Sequence, residues 1–327
     1  MNNSHKVILI ILNKDQIDAT NQNYINSNNI DLRQLEGGLV RKIFLLYKIF
    51  RDESIDIVFS YLFASNLVSS LACKLSGVKK SIGGIRSSKI KSIKLQIERF
   101  IHNRMNFCTI INNSNGIEYL EGKGFINKKF ILINNYIEEK PHKPSKREGK
   151  LINILSVGRF HKSKDYFTAI SSIVSLRKKY SNFIYTIVGY GLLENEIRLF
   201  INEHNASDYI KVYINPTNIE EYYLNADIFL QTSIYEGFSN TIMEALSYSL
   251  PVVTTDVGDN HFLVKNKING YLCKPEDYLD ISNKLLLLLN NFEKRLCMGN
   301  KSYEYINTYY SHDSYIKKYD NLIKDLD

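Results

Sequence analysis

The sequence predicts an α/β protein made of two Rossmann-like domains, and three observations predict it. Short runs rich in Ile, Val and Phe alternate with helical patterns along the chain, the order expected of parallel sheets wrapped by helices. The 327 residues, 44% of them hydrophobic, suit two domains of roughly 150 residues, each with its own core. Between the two stretches, residues 138–150 carry two prolines and many charges, which excludes a core element and marks a linker. The expected division is therefore 1–140, a linker at 141–150, a second domain at 151–310, and a C-terminal segment at 311–327.

Taken in order, strands are expected at 6–12, 56–60, 80–83, 107–111 and 130–133 in the first half. In the second half they are expected at 151–157, 183–188, 210–213, 228–231 and 251–254. Gly37-Gly38 follows Asp31-Leu32-Arg33-Gln34-Leu35 and starts the next helix, and beyond residue 275 helical patterns run to the end.

The most informative segment is Ser233-Ile234-Tyr235-Glu236-Gly237-Phe238-Ser239-Asn240-Thr241-Ile242-Met243-Glu244. Glu236 is expected in a loop where Gly237 lets the backbone approach a ligand, and Ser239 or Asn240 caps the helix that follows. That helix reads as 241–249, with Ile242, Ala245 and Leu246 on its apolar face and Glu244 on its first turn. Free N–H groups at such a helix start, with the positive end of its dipole, suit a diphosphate. Glu236 and Glu244 can then accept hydrogen bonds from hydroxyls on the sugar and the ribose of a sugar nucleotide. The plainer reading of Glu244 is a solvated helix residue. The run Ser249-Leu250-Pro251-Val252-Val253-Thr254-Thr255 that follows is a buried β-branched strand, which sets the segment at the carboxyl edge of a parallel sheet.

On these residues the chain resembles the retaining glycosyltransferases of family four, which have the two-domain GT-B architecture with the domains facing a cleft. The resemblance rests on Glu236 and Glu244 in the Glu-x7-Glu motif, on the Pro251 strand, and on Leu155-Ser156-Val157-Gly158-Arg159-Phe160-His161-Lys162-Ser163-Lys164 upstream. Tyr185-Thr186-Ile187-Val188-Gly189-Tyr190-Gly191 matches the family's strand ending in Gly-x-Gly. The resemblance implies that Arg159 and Lys164 contact the donor diphosphate. It also implies a donor-binding set of Gly158, Gly189, Gly237, Phe238, Ser239, Asn240, Thr241 and Glu244, with Glu236 at the reacting sugar. In place of the His that many members carry after the fourth strand of the first domain, this chain has Arg86, which can stabilise a leaving phosphate. The alternative is that Arg86 belongs only to the basic cluster around it. The resemblance further implies a last helix that crosses back onto the first domain. The opening strand, 6–12, has the character of the family's second strand, so the expectation is a first domain lacking its first strand, Gly-Gly loop and helix, or built differently.

Charge and cysteine usage narrow the function classes. A nucleotide diphosphate carries about two negative charges, which many transferases neutralise with a metal held by Asp-x-Asp. Here that pattern occurs only at Asp325-Leu326-Asp327, read as a solvated tail. Arg159, Lys164 and a helix start can supply the compensation, so no metal or other cofactor is expected. Cys73, Cys108, Cys273 and Cys297 lack Cys-x-x-Cys spacing and are expected as buried thiols. No run of about 18 apolar residues exists, which points to a cytoplasmic protein or one peripheral to the inner membrane face.

The net charge of +8 falls entirely in residues 1–140, with 20 Lys and Arg against 12 Asp and Glu. It concentrates between Lys79 and Arg104, where eight cations face the single acid Glu98 and apolar residues recur at helical spacing. Two readings stay open for this basic helix: an ordinary surface helix, or a contact with anionic lipid. Nucleic acid is disfavoured by the scarcity of interleaved aromatics. The leading function is a metal-independent hexosyl or N-acetylhexosaminyl transfer from a nucleotide-diphosphate sugar to a saccharide or lipid-linked acceptor. The alternatives are a nucleotide-sugar 2-epimerase and an inactive relative that binds donor or anionic lipid.

Overall fold

The computed structural model describes residues 5–13, 17, 19–86, 92–140 and 151–326. The chain divides into two compact units: unit 1 is Met1–Ile111 with Gly116–Leu132, and unit 2 is Asn112–Asn115 with Ile133–Asp327.

In unit 1 the elements run β1 (Ile8–Ile11), α1 (Ala19–Ser27), β2 (Asp31–Gln34), α2 (Leu39–Asp52), β3 (Ile57–Tyr61), α3 (Phe63–Ser76), β4 (Lys80–Ile85), α4 (Ser92–Arg104) and β5 (Cys108–Ile111). Then follow α5 (Ser114–Glu121), whose first two residues group with unit 2, and β6 (Phe130–Leu132). Strands β3-β4-β5-β6 form a parallel sheet in that order, while β1 and β2 pair in parallel as a separate ribbon. Ile10 and Leu12 pack into the same apolar cluster as Leu46, Phe50, Val58 and Ala72, so the ribbon shares a core with α2, β3 and α3. The sequence missed β2 because three of its four residues are polar. In the fold those charges are paired: Arg33 bridges Asp31 at 2.7 Å and Glu53 at 2.6 Å.

Unit 2 carries β7 (Ile152–Val157), α6 (Tyr166–Arg177), β8 (Phe183–Gly189), α7 (Glu194–Glu203), β9 (Ile210–Ile214), α8 (Glu220–Asn225), β10 (Ile228–Gln231), α9 (Asn240–Ser247), β11 (Val252–Thr255), α10 (Asn260–Leu263) and β12 (Gly270–Cys273). The helices α11 (Tyr278–Leu289), α12 (Phe292–Tyr309) and α13 (His312–Lys324) close it. Its six strands are all parallel, in the order β12-β11-β10-β7-β8-β9. Successive strand residues enter opposite cores. Ile152 and Ile154 join one apolar cluster with Ile228, Leu230 and Val253, while Leu155 and Val157 join the other with Phe229 and Val252. A strand apolar on both faces is what a sheet covered on both sides requires. Each fully buried Ile or Val contributes about 1.5–3 kcal/mol relative to exposure.

Several expectations are corrected. The boundary falls at Leu132, not at residue 140, because 133–140 is tied to the C-terminal helices: the Ile137 N–H donates to the Tyr310 carbonyl at 3.0 Å, and Tyr136 lies against His312 and Tyr315. The linker 141–150 lies outside the described residues. Helix α13 belongs to unit 2 and packs there on Tyr136, a residue the sequence reading assigned to the first domain. Three cysteines are buried thiols as expected, but Cys297 is exposed. Strand β12 was missed because it begins with Gly and carries no β-branched residue. Among the described residues no helix is long and apolar enough to cross a membrane.

Candidate active site

The strand order of unit 2 reverses between β7 and β10. In open parallel sheets the crevice outside the carboxyl ends of strands at such a switch point is where ligands bind. The loops leaving β7 and β10 are the two motif segments, Gly158–Lys164 and Thr232–Ser239.

After β7 the backbone is crowded by design. A Cβ on Gly189 would come within 1.9 Å of the Gly158 carbonyl oxygen, so only glycine lets the ends of β7 and β8 lie together. The Tyr166 hydroxyl donates to that same carbonyl at 3.0 Å. Residues Lys162–Lys164 form one 3-10 turn, followed by Asp165 in the left-handed region (φ 46°), where its side chain caps α6 through the Thr168 N–H. Asp is one of the few non-glycine residues that adopt this conformation readily. Arg159 is exposed and has no side-chain partner among the described residues.

After β10, Glu236 returns toward the sheet and its Oε1 takes three donors. These are the Lys164 ammonium, the Gln231 amide at 2.6 Å and the Ser233 hydroxyl at 2.7 Å. The Lys164 and Glu236 side chains are only 18% and 13% exposed, so the pair is shielded from most solvent screening. Thr232 donates to the Asp165 carbonyl at 2.8 Å and the Ile234 N–H to the Ser163 carbonyl at 2.9 Å, which stitches the two loops together. The loop is backed by Gly258 (φ 57°), where a Cβ would sit 2.3 Å from the Glu236 carbonyl oxygen. Beside it, the fully buried Asp259 accepts from the Ser114 N–H and hydroxyl, both at 2.7 Å, and its own N–H donates to the Gly237 carbonyl at 3.0 Å.

Helix α9 begins at Asn240 with Ser239 as its N-cap. Its first N–H groups, those of Asn240 and Thr241 among them, have no partner within the helix. Because the helix starts one residue earlier than expected, Glu244 falls beyond its first turn. The Glu244 carboxyl is half-buried and its Oε2 accepts from the Tyr223 hydroxyl at 2.6 Å. Burial pushes its pKa up, with the Tyr223 hydrogen bond opposing. Tyr223 is itself fully buried and stacks on Tyr248, with ring centroids 5.3 Å apart.

The structure thus brings Gly158, Lys164, Glu236, Gly237 and the start of α9 into one neighbourhood at the switch point. Phe238 is corrected: its side chain is buried in the core beside Tyr310, leaving only its backbone for a donor. Gly189 acts through close packing, and Asn240 is exposed and accepts from Asn135 at 2.7 Å. Arg86 belongs to unit 1, where its guanidinium lies 5.5 Å from the Tyr61 ring just past β4. Sequence reasoning missed Gln231, Ser233, Tyr223 and Asp259. The available signal was the polar run Gln231-Thr232-Ser233 directly after an apolar strand. Among the described residues no cluster of three or more metal-ligating side chains occurs.

Two parallel α/β units, the second with its site at a strand-order reversal, define the GT-B architecture, and solved structures bear this out as a fold. The crystal structure of Anabaena HepE in complex with UDP superposes over 98% of this chain and 99% of its own, with a TM-score of 0.82 at 13% identity. The apo form of the lipopolysaccharide outer core galactosyltransferase WaaB matches with a TM-score of 0.73 at 19% identity, over 91% of this chain and 85% of its own. The profile of the glycosyl transferases group 1 family matches residues 137–305, more than half of the chain, and the chain belongs to that family. An uncharacterized glycosyltransferase of Haemophilus influenzae is 30% identical over 49% of this chain, and the capsular polysaccharide biosynthesis glycosyltransferase CapM of Staphylococcus aureus is 30% identical over 57%. The chain spans about half the length of these two relatives, 46% and 47%. The Escherichia coli UDP-Gal:alpha-D-GlcNAc-diphosphoundecaprenol alpha-1,3-galactosyltransferase is 23% identical over 76% of this chain and 70% of its own length.

Proposed function

We propose that this protein is a retaining, metal-independent glycosyltransferase that moves a hexosyl or N-acetylhexosaminyl group from a nucleotide-diphosphate sugar to a saccharide acceptor carried on a lipid, in surface polysaccharide synthesis. The observation that carries the reading is the Lys164–Glu236 pair at the carboxyl ends of β7 and β10, beside the start of α9. Lys164, the α9 N–H groups and Arg159, which has no side-chain partner among the described residues, offer positive charge for a diphosphate. Glu236 Oε2, which accepts no hydrogen bond among the described residues, is free for a sugar hydroxyl. Glu244 Oε1 is the corresponding acceptor for a ribose hydroxyl. A displacement in which the leaving diphosphate is stabilised by fixed charges needs no other protein group at the reacting carbon.

The lipid-linked acceptor is supported by the E. coli relative, whose name specifies a diphosphoundecaprenol substrate. It is also supported by α4, where Ile93 and Phe100 are 74% and 57% exposed next to the exposed Lys94, Arg99 and Arg104. An apolar stripe turned outward among cations is suited to an anionic membrane surface, on the cytoplasmic side where sugar nucleotides are held. Lys89 and Lys91 of the same cluster lie outside the described residues. The test is calorimetry of the full chain with UDP, GDP, ADP and CDP in excess chelator. Binding of at least one is expected. Binding that disappears with chelator and returns with magnesium or manganese would refute metal independence.

A further inference from the structure

We infer that Gln231 is a positioning residue that leaves Glu236 a single free acceptor oxygen and thereby sets how the protein discriminates a sugar nucleotide from a bare nucleotide; this rests on the donor-site reading above. Gln231 is the last residue of β10 and is buried. Its amide nitrogen donates to Glu236 Oε1 at 2.6 Å and to the Ser233 hydroxyl at 3.0 Å, while its amide oxygen accepts from the Ser239 hydroxyl at 3.0 Å. One side chain therefore connects the Glu236 carboxylate to the N-cap of α9, the two parts assigned to the sugar and the phosphates.

The donor count makes the assignment specific. With Lys164, Ser233 and Gln231 all on Oε1, that oxygen has no capacity for a further donor. Only Oε2 remains, and its direction is fixed because the other oxygen is held from three sides. Leucine at position 231 would preserve an apolar strand end, but it would remove one donor from Glu236 and leave the Ser239 hydroxyl with only the longer contact to the Thr241 hydroxyl at 3.3 Å and the Ile242 N–H. The carboxylate would then be free to rotate toward Lys164 and present either oxygen. Preorganised hydrogen bonds of this kind act through geometry rather than contact with the ligand.

The isosteric change Gln231→Glu provides the test. Two carboxyls in hydrogen-bond contact share a proton at low pH and repel once both ionise. When protonated, Glu at 231 can donate to Glu236 Oε1 as the amide does; when ionised, it cannot. We expect the affinity ratio of nucleotide sugar to nucleoside diphosphate in Q231E to match the wild type at pH 5.5 and to fall about tenfold by pH 8, while the wild-type ratio stays level. Adding Glu236→Gln should abolish the pH dependence. A merely structural role would lower the melting temperature and leave the ratio constant. A Q231E ratio that tracks the wild type at every pH would overturn the role of Gln231 alone. A wild-type chain with no affinity for any nucleoside diphosphate would overturn the donor-site reading and this inference together.

Discussion

Lys164→Ala and Glu236→Gln break the same ion pair from opposite ends, yet the site predicts opposite consequences for nucleotide binding. The Lys164 ammonium is neutralised by Glu236 Oε1, and the pair is mostly shielded from solvent. Removing the lysine deletes one charge-assisted contact to a diphosphate, about 1.5–3 kcal/mol, which is roughly a 10- to 150-fold loss in nucleoside diphosphate affinity. The variant should fold, because Gln231 and Ser233 still satisfy the Glu236 carboxylate. Glu236→Gln leaves Lys164 in place and unneutralised, so affinity for the bare diphosphate should hold or rise, while the extra affinity of the sugar nucleotide should be lost. Calorimetry on the wild type and both variants, with each ligand pair, reads the contrast directly. Equal losses of diphosphate affinity in the two variants, or no loss in K164A, would refute the division of labour between the two side chains.

Two further outcomes follow from unit 1. Glu98 is 3% exposed, its Oε2 has no hydrogen-bond partner among the described residues, and Asn66 donates to its Oε1. Burial raises its pKa from 4.5 to about 7 against the Asn66 bond, so the folded chain keeps a proton that the unfolded chain releases between those values. The contribution of Glu98 to stability should therefore be fully present below pH 4.5 and fall by up to about 3 kcal/mol as pH rises to 7, and Glu98→Gln should remove that component of the slope in urea unfolding monitored across the range. For α4, replacing Lys94, Arg99 and Arg104 by Gln should weaken co-sedimentation with acidic liposomes by up to about 3 kcal/mol and leave neutral liposomes unaffected. Equal binding of both vesicle types by the wild type would make the exposed stripe an ordinary surface.

The sequence by itself determined the alternation of strands and helices, the family's two motifs and the capped helix at Ser239. Each of these is local: a β-branched run, a Gly at a sharp turn, or a hydroxyl before an apolar helix reports its own conformation. Strand β2 escaped because three of its four residues are polar, and β12 because it begins with Gly and carries no β-branched residue; the Arg33–Glu53 pair that ties β2 to the end of α2 spans 20 positions. The domain boundary moved from residue 140 to Leu132 because Ile137 and Tyr136 are held by residues 310–315, more than 170 positions away in sequence. The buried Glu98 read as one acid among eight cations, since burial is a property of what packs around a residue.

At the candidate site the same distinction holds. Glu236 and Glu244 were singled out by their spacing and Lys164 by the family resemblance, but the partners of all three were not legible. Only the tertiary structure placed Lys164 on Glu236, turned Phe238 into the core, gave Glu244 to Tyr223, and set Gln231 between the Glu236 carboxylate and the Ser239 N-cap. The physical reason is clearest for Lys164 and Glu236, which stand on the loops after β7 and β10, strands whose paired residues lie 74 positions apart in sequence. A parallel sheet brings its carboxyl ends together only after the intervening helices and strands have packed.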